Sequence, residues 1–515
     1  MATRTAAASA HVSQTSSGAP RAGKSGIPRK YLVVLAVMPS AIMEILDTSV
    51  VNVSLPHIGG SLGSSVSEAT WVLTSYLIAN AIVVPLGGWL SHHFGRKRLL
   101  LTVVTGFTVS SVLCGLAPTL PLLVFFRVMQ GLTGGGLQPL SQSILFEEFP
   151  PQERQRAMSI WAFGVVLAPI LGPTLGGWIT DTWSWRWVFF INVPIGILSW
   201  VLISTFVHDP EYLRDGKAAK VDALGLLLLA FGMGAMQTML DKGEQEDWFG
   251  SRLIVMLAIT AAVLIPLFVI REFRAKNPFV KIHLFTDWNF GWGSIIGFLM
   301  YSTLFGSIIL VPLFMETVLG WTAVTTGIWT APRGLGALCG ILFQWIPGFQ
   351  KIKGSPWMAV MGFGVTGAVF MLGYAHMNMY SGTWDLFWPQ CIQGFAVTLA
   401  FMPVVVGTMA HIKPADMPYA TSLFGTIRNF GSSAGISFVA IFLDRRNQFH
   451  QSVLAAQAFP GNPALVRAVG GLRSLFASHG ASMHFAGREA VNDPKFRTLF
   501  RRSICIVPQS VTAAS

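Results

Sequence analysis

The stretch "AIMEILDTSVVNV", residues 41–53, sets two carboxylates, Glu44 and Asp47, inside a run that otherwise has the composition of a membrane-helix interior. A carboxylate at the centre of a bilayer costs roughly 2.5–3.5 kcal/mol on insertion scales, so its presence there calls for a function. The surrounding apolar block, near 31–54, has the length of about 20 residues that a hydrocarbon core of about 30 Å requires. Similar blocks follow near 69–90, 99–118, 121–145, 157–180, 187–207, 222–240, 252–271, 291–318, 326–346, 356–376, 386–411 and 418–443. The 515-residue chain is 52% apolar and only 11% charged, where a soluble protein carries about 25% charge. The fold class is therefore an all-α polytopic membrane protein. Its 52 glycines agree with that class, because membrane helices associate through small residues.

The net charge of +12 follows topology. With a cytoplasmic N-terminus, the inner segments to residue 443 carry twenty Lys/Arg and the outer loops only Arg186, Lys242 and Arg252. That asymmetry predicts the orientation and excludes a nucleic-acid footprint. Cys114, Cys339 and Cys391 stand in apolar blocks and, with Cys505, show no paired spacing, which predicts packing residues rather than disulfides or metal ligands. The first apolar block starts at Tyr31 and is long enough to span, so no cleavable signal peptide is expected.

Three motif matches fail on context. "GAPRAGKS" (Gly18–Ser25) fits the phosphate-loop pattern, but no buried strand precedes it and Pro28 stands where the helix should run. "GSSAG" (Gly431–Gly435) fits the hydrolase elbow, but falls inside an apolar span. His92-His93 lacks further ligands at metal spacing. No enzyme, cofactor or metal is expected.

Other constellations do carry chemistry. In the fifth span, "GVVLAPILGPTLGGW", small residues Gly164, Ala168, Gly172 and Gly176 recur every fourth residue beside Pro169 and Pro173. The stripe permits close helix contact, and the prolines predict a bendable helix whose freed carbonyls find partners on neighbours. Tight packing alone accounts for the glycines but not for the repeated prolines. In the fourth span, "RVMQGLTGGGLQPL" puts Arg127 and Gln130 on one face. An arginine at that depth either meets a carboxylate, carbonyl or water, or snorkels to the interface. The loop "GGWLSHHFGRKRL" combines Gly88 and Gly95 with Arg96, Lys97 and Arg98 in an inward-facing basic turn.

Together, "LDTSVVNVSLP", "GWLSHHFGRKR", "RVMQG", "APILGPTLGG" and "WRWVFFINVPIG", in that order, resemble the signatures of the major facilitator superfamily, in its fourteen-helix drug:proton antiporter branch of the EmrB/QacA type. The resemblance covers about residues 31–443. It implies two six-helix bundles with two extra helices between them, and alternating access around a central cavity. The implied domains are a disordered cytoplasmic lead 1–30, an N-terminal bundle 31–207, a linker with two membrane helices 208–275, a C-terminal bundle 276–443, and a polar basic tail 444–515. "RVMQG" is echoed by "QCIQG" (Gln390–Gly394), with Gln390 where the first copy has Arg127, which places ion coupling in the N-terminal half.

The resemblance assigns proton coupling to Asp47, with Glu44, Arg127 and Gln130 around it. It assigns the antiporter motif to Gly164, Pro169, Gly172, Pro173, Gly176 and Gly177, and the gating loop to Gly88, His92, Gly95, Arg96, Lys97 and Arg98. Burial and a second carboxylate favour a protonated carboxyl, while an arginine or water favours its ionised form, so alternating access would load and release a proton. Asp47 as a helix cap near the outer surface, and Glu44 as the group that senses cationic drugs, remain alternatives. Cavity candidates are Trp71, Tyr76, Asn80, Arg333, Gln393, Arg428 and Asn429. The acidic loop Asp241–Asp247 attracts cations or reflects the ordinary scarcity of basic residues outside. His92 stands where the family usually carries an aspartate, which predicts altered or pH-sensitive gating.

Residues 444–515 hold no block of 20 apolar residues and carry nine Lys/Arg against three acids. The fourteenth helix is therefore expected to be missing, as in a truncated or frame-altered C-terminus. The expected activity is proton-coupled export of lipophilic or amphipathic toxic compounds from an inner membrane. Membrane lipid, and a periplasmic adaptor with an outer-membrane channel, are the implied partners, with no nucleic acid. Competing expectations are export of one endogenous metabolite or siderophore, a non-transporting membrane sensor or scaffold, and an ion channel.

Overall fold

A computed structural model describes residues 28–209, 222–275, 278–344, 346 and 356–457. The phosphate-loop match at 18–25, the lead 1–27, and the basic residues Arg214, Lys217, Lys220, Lys276, Lys351 and Lys353 lie outside the described residues. So do Cys505 and the question of a fourteenth helix, which falls on 458–515.

The thirteen apolar blocks become thirteen helical rods. They are α1 (Arg29–Ser61), α2 (Ser67–Phe94), α3 (Arg96–Leu116), α4 (Leu120–Glu148), α5 (Arg154–Thr182), α6 (Trp187–Phe206), α7 (Ala223–Lys242) and α8 (Arg252–Arg274). After them come α9 (Trp288–Thr317), α10 (Ala323–Thr330 and Pro332–Gln344), α11 (Pro356–Ala368), α12 (Thr383–Thr408) and α13 (Met417–Gln457). Ten are long and apolar enough to cross a membrane, and α5 makes an eleventh when its two arms, bent by 41°, are joined. α10 is broken before Pro332, and α11 ends in a π turn, Val369–Gly373. No helix breaker follows residue 443 before Pro460, so α13 runs on to Gln457 and overruns the expected bundle boundary.

α1–α6 form one bundle and α9–α13 the other, with α1 against α5 and α6, α2 against α4, α9 against α13, and α10 and α11 against α12. The two bundles meet where α13 packs on α2 and α4, and where α5 packs on α10 and α12. α7 and α8 pair with each other, and α7 lies on α2 and α13, one helix from each bundle. Asp222 caps α7 through the Gly225 N–H and is held by Arg271 at 2.7 Å. That guanidinium holds the Asp222 carboxyl below its ordinary range.

The glycine pattern works as the sequence suggests. A Cβ on Gly164 would stand 2.7 Å from Ile42, and one on Gly176 would stand 2.9 Å from the Val50 carbonyl, while one on Gly172 would collide with Ser49. A Cβ on Gly177 would meet nothing within 4 Å, so that glycine is not part of the α1–α5 contact. Pro173 has no N–H for the carbonyl of residue 169, and the Ser49 hydroxyl donates to that carbonyl at 3.3 Å. The carbonyl freed by Pro173 at the bend of α5 thus keeps a partner. In α13, Gly431 and Gly435 serve the same purpose against Phe298 and Ser302 of α9. Ser433, between them, accepts from Gln237 of α7 at 2.9 Å. The three described cysteines are free, Cys114 buried and Cys339 on the exposed side of α10.

Candidate functional site

Asp47 is completely buried in α1. Its Oδ2 accepts from Arg127 Nη1 at 2.6 Å, and its Oδ1 accepts from Gln130 Nε2 at 3.0 Å and from Asn192 Nδ2 at 2.7 Å. Arg127 also donates through Nε to the Val72 carbonyl at 2.9 Å and through Nη1 to Gln130 Oε1 at 2.6 Å. Gln130 and Asn192 both donate to the Ser111 hydroxyl, at 2.7 and 3.2 Å. The guanidinium lies 4.3 Å from the Tyr76 ring centroid and 5.7 Å from that of Phe189, a cation–π cage. Five helices, α1, α2, α3, α4 and α6, thus close around one ion pair.

Such a pair is held by geometry rather than by net stability: desolvation offsets most of the attraction, but removing one partner alone costs about 3–5 kcal/mol. Ser111 and Asn192 are not among the residues singled out from the sequence. Asn192 does stand inside "WRWVFFINVPIG", and an amide in an apolar entry to a span was the available signal.

Glu44 shares the helix but not the network. Its Oε1 accepts from Asn80 Nδ2 of α2 at 2.9 Å, and its Oε2 is buried without a partner. Asn80 Oδ1 in turn accepts from Asn429 of α13 at 3.3 Å. Asp47 therefore faces into its own bundle while Glu44 points, through Asn80, to the other.

Between the bundles lies a cavity of about 90 Å³. Arg333, Arg428 and Asn429 line it, together with Pro169, Gln138, Tyr301 and apolar side chains from both halves. Trp71, Tyr76, Asn80 and Gln393 do not line it. Trp71 is 41% exposed, with Lys242 Nζ 5.0 Å from its ring. Tyr76 belongs to the Arg127 cage and Asn80 to the Glu44 bridge. Gln393 donates to Ser307 at 2.9 Å and accepts from Tyr374 at 2.9 Å inside the C-terminal bundle.

At the end that carries Arg29, the halves lock together. His92 Nε2 donates to the Ala415 carbonyl of the opposite half at 2.7 Å, and its ring stacks on Tyr419. Gly88 lies against Tyr419, where a Cβ would come within 2.6 Å of its Cα. Gln155 donates to Gln344 at 3.1 Å. Gly95 has φ +81°, which a glycine adopts without strain. The acid at the start of α3 is Asp209, which accepts from the Lys97 N–H at 2.8 Å and so meets the positive end of the helix dipole. Arg96 is buried on Glu147, and Arg98 is exposed and away from this cluster. At the opposite end Thr174 of α5 abuts Gly327 of α10, so contacts lie on both sides of the cavity.

The sequence profile of the Major Facilitator Superfamily matches residues 37–436. The fatty acid resistance protein FarB of Neisseria gonorrhoeae is 38% identical over 440 residues, 84% of each chain. The multidrug export proteins EmrB of Haemophilus influenzae and of Escherichia coli K12 are 38% and 37% identical, again over 84% of both chains. Among solved structures, the human organic anion transporter MFSD10 (TETRAN) superposes with a TM-score of 0.56 at 14% identity, covering 81% of this chain and 94% of that one. The order of the helices, the paired bundles and these matches lead to one assignment: the chain belongs to the major facilitator superfamily, on the branch of the EmrB-type exporters.

Proposed function

We propose that the protein exports lipophilic or amphipathic compounds in exchange for protons, by alternating access, from an inner membrane in which its N-terminus is cytoplasmic. The observation that carries this reading is the buried Asp47–Arg127–Gln130–Asn192 network beside a cavity shared by both halves. In this reading Asp47 carries the exchanged proton, and a rearrangement of the half that draws the Arg127 guanidinium away from it couples that exchange to alternating access. The α5 hinge at Pro169 and Pro173, packed on the very helix that bears Asp47, supplies such a rearrangement. Asn80, one turn from Tyr76 on α2, bonds Glu44 and also Asn429, which lines the cavity.

One proton moving down about 150 mV releases roughly 3.5 kcal/mol, enough for a substrate gradient of a few hundredfold. The export and resistance names of the relatives support the direction of transport, and the density of Lys/Arg at the Arg29 end supports the orientation. A periplasmic adaptor and an outer-membrane channel are the partners this reading supplies for passage beyond the inner membrane.

The test is a proton-release assay in energised inside-out vesicles, with a pH-sensing dye, a panel of lipophilic compounds, and Asp47→Asn beside wild type. Compound-triggered proton leak in wild type and none in the variant is the expected result. An equal response in both moves the coupling to Glu44, and silence in wild type overturns the export reading.

A further inference from the structure

The cavity between the halves holds more positive charge than its walls satisfy. Arg333 and Arg428 line it at 3% and 2% exposure, and among the described residues neither forms an ion pair with a carboxylate. Arg428 gives Nη2 to Gln138 Oε1 at 2.7 Å and lies 5.0 Å from the Tyr301 ring, while its Nε and Nη1 are buried with no acceptor. Arg333 gives Nε to Gln390 Oε1 at 2.8 Å, and its Nη2 has no acceptor. A guanidinium cannot shed its proton to escape burial, so both charges persist in a site whose other walls include Ile45, Val165, Leu304, Phe305, Ile308 and Phe401.

The geometry points to an amphipathic organic anion as the occupant of this cavity, its carboxylate or sulfonate head taken by Arg333 and Arg428 and its apolar body laid on the aliphatic and aromatic wall. The orphaned N–H groups supply the donors that a planar or tetrahedral oxyanion accepts in pairs. Arg127, by contrast, is paired with Asp47 and does not line this cavity. Proton and substrate sites then sit in different halves, Asp47 in the first and the two arginines in the second. An anion leaving while a proton enters moves charge in the direction that an inside-negative potential favours, so its export draws on the potential as well as on the pH gradient. The transport part of this inference rests on the export reading; the binding part stands without it.

The experiment uses the full-length protein in lipid nanodiscs and three probes with one tail: octane-1-sulfonate, octyltrimethylammonium and 1-octanol. Their Kd values are measured by calorimetric titration in wild type, R333Q and R428Q. Wild type is expected to bind the sulfonate at least tenfold more tightly than the ammonium, and each Gln variant to lose at least tenfold for the sulfonate alone. Equal or tighter binding of the ammonium overturns the inference, as does sulfonate affinity unchanged in both variants. Displacement of octanesulfonate by inorganic sulfate at the same concentration overturns its amphipathic half. If the Gln variants do not fold, R333K and R428K take their place, with a several-fold loss expected for the sulfonate and none for the ammonium. Proteoliposomes separate the two readings: proton-linked movement of the ammonium but not of the sulfonate leaves export standing and removes the anion, whereas no proton-linked movement of either removes export while the Kd ranking still decides the site.

Discussion

In the N-terminal half, a Cβ on Gly131 of α4 would collide with the Tyr76 carbonyl of α2 and lie 3.2 Å from the Asn80 nitrogen. In the C-terminal half, one on Gly394 of α12 would collide with the Arg333 carbonyl of α10 and lie 3.0 Å from the Ala337 nitrogen. The register is the same, so Tyr76 and Arg333 hold equivalent places, as do Arg127 and Gln390. The arginine has changed helices: on α4 it faces Tyr76 at 4.3 Å, and on α10 it faces Gln390 at 2.8 Å. Likewise Gln130 donates to Asp47, and Gln393 to Ser307. One scaffold thus carries a carboxylate–guanidinium pair in one half and an arginine without an acid in the other. The packing residues are shared because close helix contact requires them; on the proposed reading, the charges differ because one half alone holds and releases the proton.

Several experiments sharpen or break that comparison. The largest effect is on coupling: S307A should retain compound-triggered proton release at the wild-type level in the vesicle assay, whereas D47N loses it. Equal loss in both would make the C-terminal half a proton path too. Next comes stability. R127Q leaves Asp47 buried and unpaired and should destabilise the purified protein by about 3–5 kcal/mol, while Q390A, which removes a bond within a neutral-to-cation contact, should cost about 1–3 kcal/mol. The double variant D47S/R127Q copies Ser307 and Gln390 of the C-terminal half and should recover most of the R127Q loss in thermal unfolding without restoring coupling. Recovery of both would detach the proton from Asp47.

The glycines predict symmetry where the charges predict difference. G131A and G394A should each cost about 1–3 kcal/mol through overpacking, and G177A, which meets open space, should stay within about 0.5 kcal/mol. A clear asymmetry between the first two would show that the halves do not pack alike. The smallest effect belongs to the hinge. S49A removes the hydroxyl that satisfies the Pro169 carbonyl and should cost about 1 kcal/mol, read as a small fall in Tm.

Much of this was legible along the chain, because the bilayer acts on it one block at a time. Span length, the scarcity of charge, the small-residue stripe of α5 and the uneven spread of Lys/Arg between loops are all local or periodic properties, and they determined the helical blocks among the described residues and the class of fold. Asp47, Arg127 and Gln130 stood out because charge and amides at membrane depth are costly. What the chain alone left open depends on rotation of one helix against another. Glu44 and Asp47, three residues apart, turn to different neighbours once α2, α4 and α6 take their places. Asn192 and Ser111 enter the network from helices distant in sequence. Asp209 arrives at the start of α3 from the end of α6, while His92, at the place of the usual aspartate, crosses to Ala415. Hydropathy determines which segments are buried in the membrane; only the packed bundle decides which buried polar group meets which, because each such contact is fixed by distances and angles that no single helix contains.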